Sequence, residues 1–159
     1  MRYFLDTEFN GFGGELISLA LVRDDGEYLY LHLRTVPCYH ILHEMAVQPW
    51  VALNVIPILD DCPAIRTNAE RRHWGREIQD FLAGDDKPSI VTDWPDDIRY
   101  FCQELIVGPG HMIQSAEQIH FIMARVDAYP TTLPGAVQHN AWWDAMALRH
   151  LVHEAEGRS

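Results

Sequence analysis

The chain opens with Tyr3-Phe4-Leu5-Asp6-Thr7-Glu8-Phe9, followed by Asn10-Gly11-Phe12-Gly13-Gly14. Aromatic and aliphatic residues running into glycine-rich punctuation predict a strand that ends in a turn. Side chains alternate faces along a strand, so Asp6 and Glu8 point the same way, roughly 6.5–7 Å apart. Two carboxylates at the end of an otherwise hydrophobic strand are costly unless paired or bound to a metal. No basic residue lies within Tyr3–Phe9. A hard divalent cation, Mg²⁺ or Mn²⁺, is therefore the natural partner. The competing reading is a strand-end turn with both acids solvated, and the rest of the chain decides between them.

Working outward, Glu15 to Val22 (ELISLALV) and Tyr28 to Leu33 (YLYLHL) read as two further strands. The favoured Asp-Gly pair in Asp24-Asp25-Gly26 turns one into the other. The result is an antiparallel meander whose first strand carries the two acids. Short helices are expected over His40 to Val47 and over Trp50 to Leu59, the second starting after Pro49 and ending near Pro57. Thr67-Asn68-Ala69-Glu70 has the form of a capping box, predicting a helix to Leu82 with Trp74, Ile78, Phe81 and Leu82 inward and Gly84 beyond it. Ser89 to Thr92 reads as a short buried strand and Asp97 to Val107 as an amphipathic helix. Within residues 111–129 the run HFIMARV fits either strand or helix and is read here as part of a helix-containing connection, and Tyr129 to Gly135 reads as a loop. A last helix is expected over Ala141 to Glu154, with Asn140 as its cap and Met146, Leu148, Leu151 and Val152 inward. The pattern predicts one α/β or α+β domain over residues 1–159, a single sheet with helices on its faces.

Composition bounds the function. The chain has 159 residues, 48% of them hydrophobic and 22% charged, which suits one soluble globular domain. Its three cysteines have neither CxxC nor zinc spacing, and the opening residues reach an acid too soon for a secretory signal. No apolar run approaches the roughly 20 residues that span a bilayer. These features predict a cytoplasmic protein with free thiols and no membrane partner. The net charge of −11 argues against a protein that coats duplex nucleic acid. It leaves room for a nuclease, because acids at a metal site are offset by cations and a short single strand needs few phosphate contacts.

Further polar residues fall where a centre on the first strand could use them. Asp93 ends the strand at Thr92, Asp97 opens the next helix, and His139-Asn140-Ala141-Trp142-Trp143-Asp144 opens the last one. With Asn140 as cap, His139 lies on the loop and Asp144 in the second helical turn, an arrangement that pairs a proton shuttle with a metal ligand. His40, His43, His73 and His111 read as surface or satisfied core residues. Arg71-Arg72-His73 reads as a solvated helix face.

Asp6-x-Glu8 on the first strand, an Asp at a strand-to-helix junction and His-x4-Asp on a C-terminal helix together resemble the DEDDh 3′–5′ exonucleases, which include RNase T and the proofreading subunits. Within them the chain is most similar to the small stand-alone bacterial and phage exoribonucleases of RNase AS type. RYFLDTEF…ELISLALV, VALNVIPIL and the Asp97 to Gln103 segment carry that likeness, which covers nearly the whole chain. The resemblance implies a ribonuclease H-like mixed sheet, with the three-strand meander joined by parallel strands and flanked by helices. It implies Asp6, Glu8, Asp97 and Asp144 as ligands to two divalent cations, Mg²⁺ or Mn²⁺, and His139 as general base. Asp6 would bridge the two ions, Glu8 and Asp144 would bind on the nucleophile side, and Asp97 on the other. Relatives commonly read His-Asn-Ala-x-Phe-Asp where this chain reads Thr92-Asp93-Trp94-Pro95-Asp96-Asp97, so Asp93 and Asp96 stay open as alternatives for the middle acid.

The implied activity is hydrolysis of single-stranded RNA from its 3′ end, releasing nucleoside 5′-monophosphates. A proofreading-type DNA exonuclease and a non-catalytic nucleotide-binding module of the same fold are the alternatives. Thr7 and the backbone of Phe9 are candidate contacts to the terminal ribose, and the Phe9 ring a candidate stack for its base, against the simpler reading that Phe9 packs in the core. Of Trp142 and Trp143, one is expected inward, and the other is a candidate to line the site, against the simpler reading that it does not. A homodimer is also implied, as a way for a small acidic domain to improve its grip on substrate.

Overall fold

The computed structural model describes residues 1–33, 46–113, 118–126 and 133–158. Strands β1 (Arg2–Phe9), β2 (Leu16–Arg23) and β3 (Tyr28–His32) form the expected antiparallel meander. Strand β4 (Ser89–Thr92) lies parallel to the opposite edge of β1, with Tyr3 beside Ile90 and Phe4 beside Val91. Strand β7 (His120–Met123) runs parallel to β4 and completes a mixed sheet of order β3-β2-β1-β4-β7. This is the ribonuclease H-like α/β architecture. The carboxyl ends of β1 and β4 open side by side, the usual place for a site in such sheets.

The alternation along β1 sorts its side chains between two layers. Tyr3 and Leu5 join Trp74, Ile78, Leu82 and Phe101 under α2 (Trp74–Leu82) and α3 (Pro95–Glu104). Gly75 makes that layer tight, since a Cβ there would lie 2.2 Å from the Glu104 carbonyl oxygen. On the other face Phe4 and Val91 meet Leu148 of α4 (Ala141–Ala155), and Ala20, Val22 and Tyr30 meet Ala141, Trp142 and Ala145. Asp6 and Glu8 belong by parity to the α4 face. A register shift between Glu8 and Phe9 ends the regular pairing with β2 beside the acids. Gly14 closes the turn that follows, where a Cβ would sit 2.0 Å from the Asn10 carbonyl oxygen.

Several expected elements differ. The helix expected from Thr67 starts at Trp74, after a single 3₁₀ turn over Arg71–His73. Tertiary bonds claim the capping-box segment first. The Thr67 N–H donates to the Tyr30 carbonyl, the Ile65 N–H to the Tyr28 hydroxyl, and Arg66 to the His32 carbonyl. These bonds lay the segment along β3. The helix at Trp50 is α1 (Pro49–Asn54), followed by a separate 3₁₀ turn over Ile56–Ile58. Helix α3 starts two residues earlier than expected, with Pro95 in its first turn. It stops at Glu104, because Ile106–Gly108 (β5) pairs with His111–Met112 (β6) as a small hairpin.

The helix-containing connection is likewise corrected for the described residues. Phe121 and Ile122 pair with Ile90 and Val91, and the open edge of β4 makes HFIM a strand. The helix expected over His40–Val47 lies outside the described residues except for Ala46 and Val47, which are not helical. Most of the expected Tyr129–Gly135 loop also lies outside them. Helix α4 matches its expected span, and Asn140 caps it by accepting from the Trp142 and Trp143 N–H groups at 3.1 and 3.2 Å. Among the described residues no helix is long and apolar enough to cross a membrane. Cys62 and Cys102 are free.

Candidate metal centre

Three segments distant in sequence meet at the carboxyl ends of β1 and β4. Glu8, His139 and Asp144 each place one ligand atom so that all lie within 4.8 Å of one another. Asp6, Asp93 and Asp97 do the same. All five residues expected at the centre are thus drawn into two adjoining triads, together with Asp93.

The His-x4-Asp spacing has a local cause. Asn140 stops the backbone from being helical before Ala141, and its own amide donates to the Ile58 carbonyl at 2.8 Å. His139, one residue outside the helix, takes φ +68°, a left-handed conformation uncommon for a non-glycine residue. Its backbone N–H donates to Asp144 Oδ2 at 2.8 Å, so the helical acid holds the loop that carries the histidine. The His139 ring packs edge-to-face on Trp50 of α1, with centroids 4.9 Å apart.

Asp97 is held more tightly. It is 2% exposed, and Oδ1 accepts from both the Thr7 backbone N–H (3.1 Å) and the Thr7 hydroxyl (2.6 Å). Its Oδ2 lies 2.6 Å from the Thr92 hydroxyl. Asp93 is half-buried and belongs to the same triad, so proximity alone does not separate it from Asp97; the fixed carboxylate is the better-oriented ligand. Asp96 turns away to Arg99, 2.9 Å distant, and to the Trp94 indole N–H.

The substrate contacts expected at Thr7 and Phe9 look different in place. Thr7 is buried and its hydroxyl serves Asp97, so it orients a carboxylate rather than facing open space for a ribose. The Phe9 ring stacks on Tyr100 at 4.8 Å and packs against the core under α3, following the simpler of its two readings. Both Trp142 and Trp143 are buried, one against Tyr28 and the other donating to the Asp61 carbonyl, so neither lines the site. Thr92 was missed by sequence reasoning; it was legible only as a strand residue, and its hydroxyl acquires a role through the return of α3.

Electrostatics sets this cluster apart from a solvated acidic patch. Burial pushes the Asp6 carboxyl well above its usual range, and Asp97, Asp144, Glu8 and Asp93 add repulsion. Burial, then Asp144 and Asp97, lifts Glu8 to about 8. Asp97 rises to about 7 through burial, even though the Thr7 and Thr92 hydrogen bonds favour its ionised form. Burial also raises Asp93 and lowers His139. Among the described residues no arginine or lysine forms an ion pair with Asp6, Glu8 or Asp97, and Asp6 Oδ2 is buried without a hydrogen-bond partner. Carboxylates that repel one another and are largely withdrawn from water form a donor set suited to hard divalent ions.

This charge crowding predicts an inverted pH response for the metal-free protein. Glu8 and Asp97 bind protons more tightly folded than unfolded, so the folded state holds more protons between the ordinary carboxylate range and about pH 8. Stability in chelator therefore falls as pH rises through that window, each group adding up to about 1.4 kcal/mol per pH unit. Saturating Mn²⁺ should flatten the fall. Melting curves in chelator and in Mn²⁺ at several pH values check this; a metal-free melting temperature that rises across the window would contradict the assigned burial. The chain matches no protein-family model and no curated protein sequence, so these acids and their surroundings are what any functional reading rests on.

Proposed function

We propose that this chain is a metal-dependent 3′–5′ exonuclease that removes nucleoside 5′-monophosphates from single-stranded ends, RNA in preference to DNA. The observation that carries the reading is the convergence of Asp6, Glu8, Asp97, Asp144 and His139 at the carboxyl ends of β1 and β4, where burial and mutual repulsion raise the Asp6, Glu8 and Asp97 carboxyls and, among the described residues, no arginine or lysine forms an ion pair with those three. Asp6, Glu8, Asp97 and Asp144 would hold two Mg²⁺ or Mn²⁺ ions, with Asp93 beside Asp97 in the second triad. Divalent cations bound there lower the pKa of a water and offset charge on a departing oxygen.

The chain's own groups do the rest. Asp144 holds the His139 loop by its backbone N–H. His139, kept neutral by burial, accepts the proton of the attacking water. Thr7 and Thr92 keep Asp97 in a single orientation. Preference for RNA rests on the family likeness, since a protein reads RNA through its 2′-hydroxyl. A cytoplasmic setting and a homodimer belong to the same proposal.

The test is direct. Purified protein with Mn²⁺ is incubated with 5′-labelled single-stranded RNA and DNA of one sequence. A ladder shortening from the 3′ end, faster on RNA and abolished by chelator, is expected, with 5′-monophosphates as product. Faster loss of DNA would favour the proofreading-type reading. Intact RNA and DNA would leave the non-catalytic nucleotide-binding module.

A further inference from the structure

The two triads are chemically unlike. One contains the proposed base, His139, and the other consists of Asp6, Asp93 and Asp97 alone. In an in-line displacement the leaving oxygen departs opposite the attacking water. If His139 takes the water's proton, the departing 3′-oxygen, and the nucleotide that carries it, lies toward the Asp93–Asp97 side.

An aromatic ring and a cation stand on that side. Trp94 immediately follows Asp93 and is 51% exposed. Its backbone N–H donates to the Thr92 hydroxyl, and its indole N–H to Asp96 Oδ2 at 3.2 Å, so the ring is held at the mouth of α3. The Arg125 guanidinium lies over this ring, 5.9 Å from its centroid. It is also close enough to Asp93 to favour that acid's charged form. Arg71, Arg72 and Arg99 are each paired with a carboxylate. Among the described residues Arg125 makes no such pair, and its charge is open to an anion. An exposed indole beside an unpaired guanidinium is the pairing that single-stranded nucleic-acid sites use, one part for a base and the other for a phosphate.

Resting on the function proposed above, we infer that Trp94 and Arg125 form the platform for the penultimate nucleotide, Trp94 stacking its base and Arg125 meeting its phosphate. The protein then grips two nucleotides, and the second supplies affinity that the terminal one lacks.

Binding is measured by titration in Mn²⁺ with a nucleoside 5′-monophosphate and with a 5′-phosphorylated dinucleotide whose linkage is a non-hydrolysable phosphonate. Stacking on one aromatic ring is worth roughly 1–3 kcal/mol, so the dinucleotide should bind wild type about 5–150-fold more tightly. Trp94→Leu should remove most of that gain and leave the monophosphate affinity within about twofold. Trp94→Phe should keep most of it. Arg125→Gln should reduce the gain and flatten its dependence on salt. An unchanged gain in Trp94→Leu and Arg125→Gln overturns the platform, as does an equal loss for both ligands. If wild type degrades RNA while the platform variants keep the gain, only this inference fails. If wild type binds neither ligand, the proposed function fails with it.

Discussion

Asp6→Asn should abolish hydrolysis and metal-dependent stabilisation, yet raise the melting temperature of the metal-free protein at pH 8. Asp6 sits at the centre of the repulsion, with Asp97, Asp144, Glu8 and Asp93 all opposing its charge and burial opposing it most. An uncharged amide of nearly the same shape removes that opposition. Removing one buried, unpartnered carboxylate should stabilise by a few kcal/mol. For a chain of this size each kcal/mol moves the midpoint by about 2–4 °C, so a rise of roughly 5 °C or more is expected in chelator. With Mn²⁺ the order should reverse, because wild type gains binding energy and the variant does not. Activity should drop at least about 10³-fold, since each 1.36 kcal/mol of lost transition-state stabilisation is tenfold in rate. Melting in chelator and in Mn²⁺, beside a single-stranded RNA assay, gives all three readouts. A variant that melts below wild type in chelator and still responds to Mn²⁺ would place Asp6 outside the centre.

His139→Asn should lower turnover by roughly 10²–10⁴-fold, the usual worth of a positioned general base, while Mn²⁺ still stabilises the protein. Asparagine is the informative replacement because it tolerates the left-handed backbone that His139 adopts. Alanine there would mix strain with lost chemistry. The experiment also separates two roles that proximity alone leaves joined, since the histidine ring lies within ligand distance of Glu8 and Asp144. Equal loss of metal response and turnover would make His139 a ligand instead of a base. In wild type, burial lowers the histidine pKa, so activity should fall with acid through a point below about 6.5. A rate that climbs as pH drops through that range would exclude a neutral imidazole.

Periodicity and local turn chemistry carried most of the architecture. The alternation that puts Asp6 and Glu8 on one face is a property of any strand, and Leu5 and Phe4 confirm it by packing into opposite layers. The Asp24-Asp25-Gly26 turn and the Asn140 cap bond to residues two or three positions away, so their sequence signals survive folding. Elements whose bonds come from afar were not legible. Thr67 has every local mark of a helix start, but β3 offers its backbone partners first. His120–Met123 could have been helix or strand, and the free edge of β4 decided it. The same holds within the site. Asp97 could be nominated by its place before a helix, but its two threonine partners arrive from β1 and β4. The meeting of Trp94 with Arg125 likewise depends on the return of β7 beside β4.

By itself, the order of residues determined which side chains share a face and which residues cap or turn, because those follow from backbone geometry over a few positions. It therefore named the acids and the histidine without placing them together. Only the tertiary structure decided that they meet, that burial drives their pKa values apart from the ordinary, and that Thr7 and Phe9 serve packing and orientation. Those properties depend on what surrounds a group in space, and neighbours as far apart in sequence as Glu8 and Asp144 supply it.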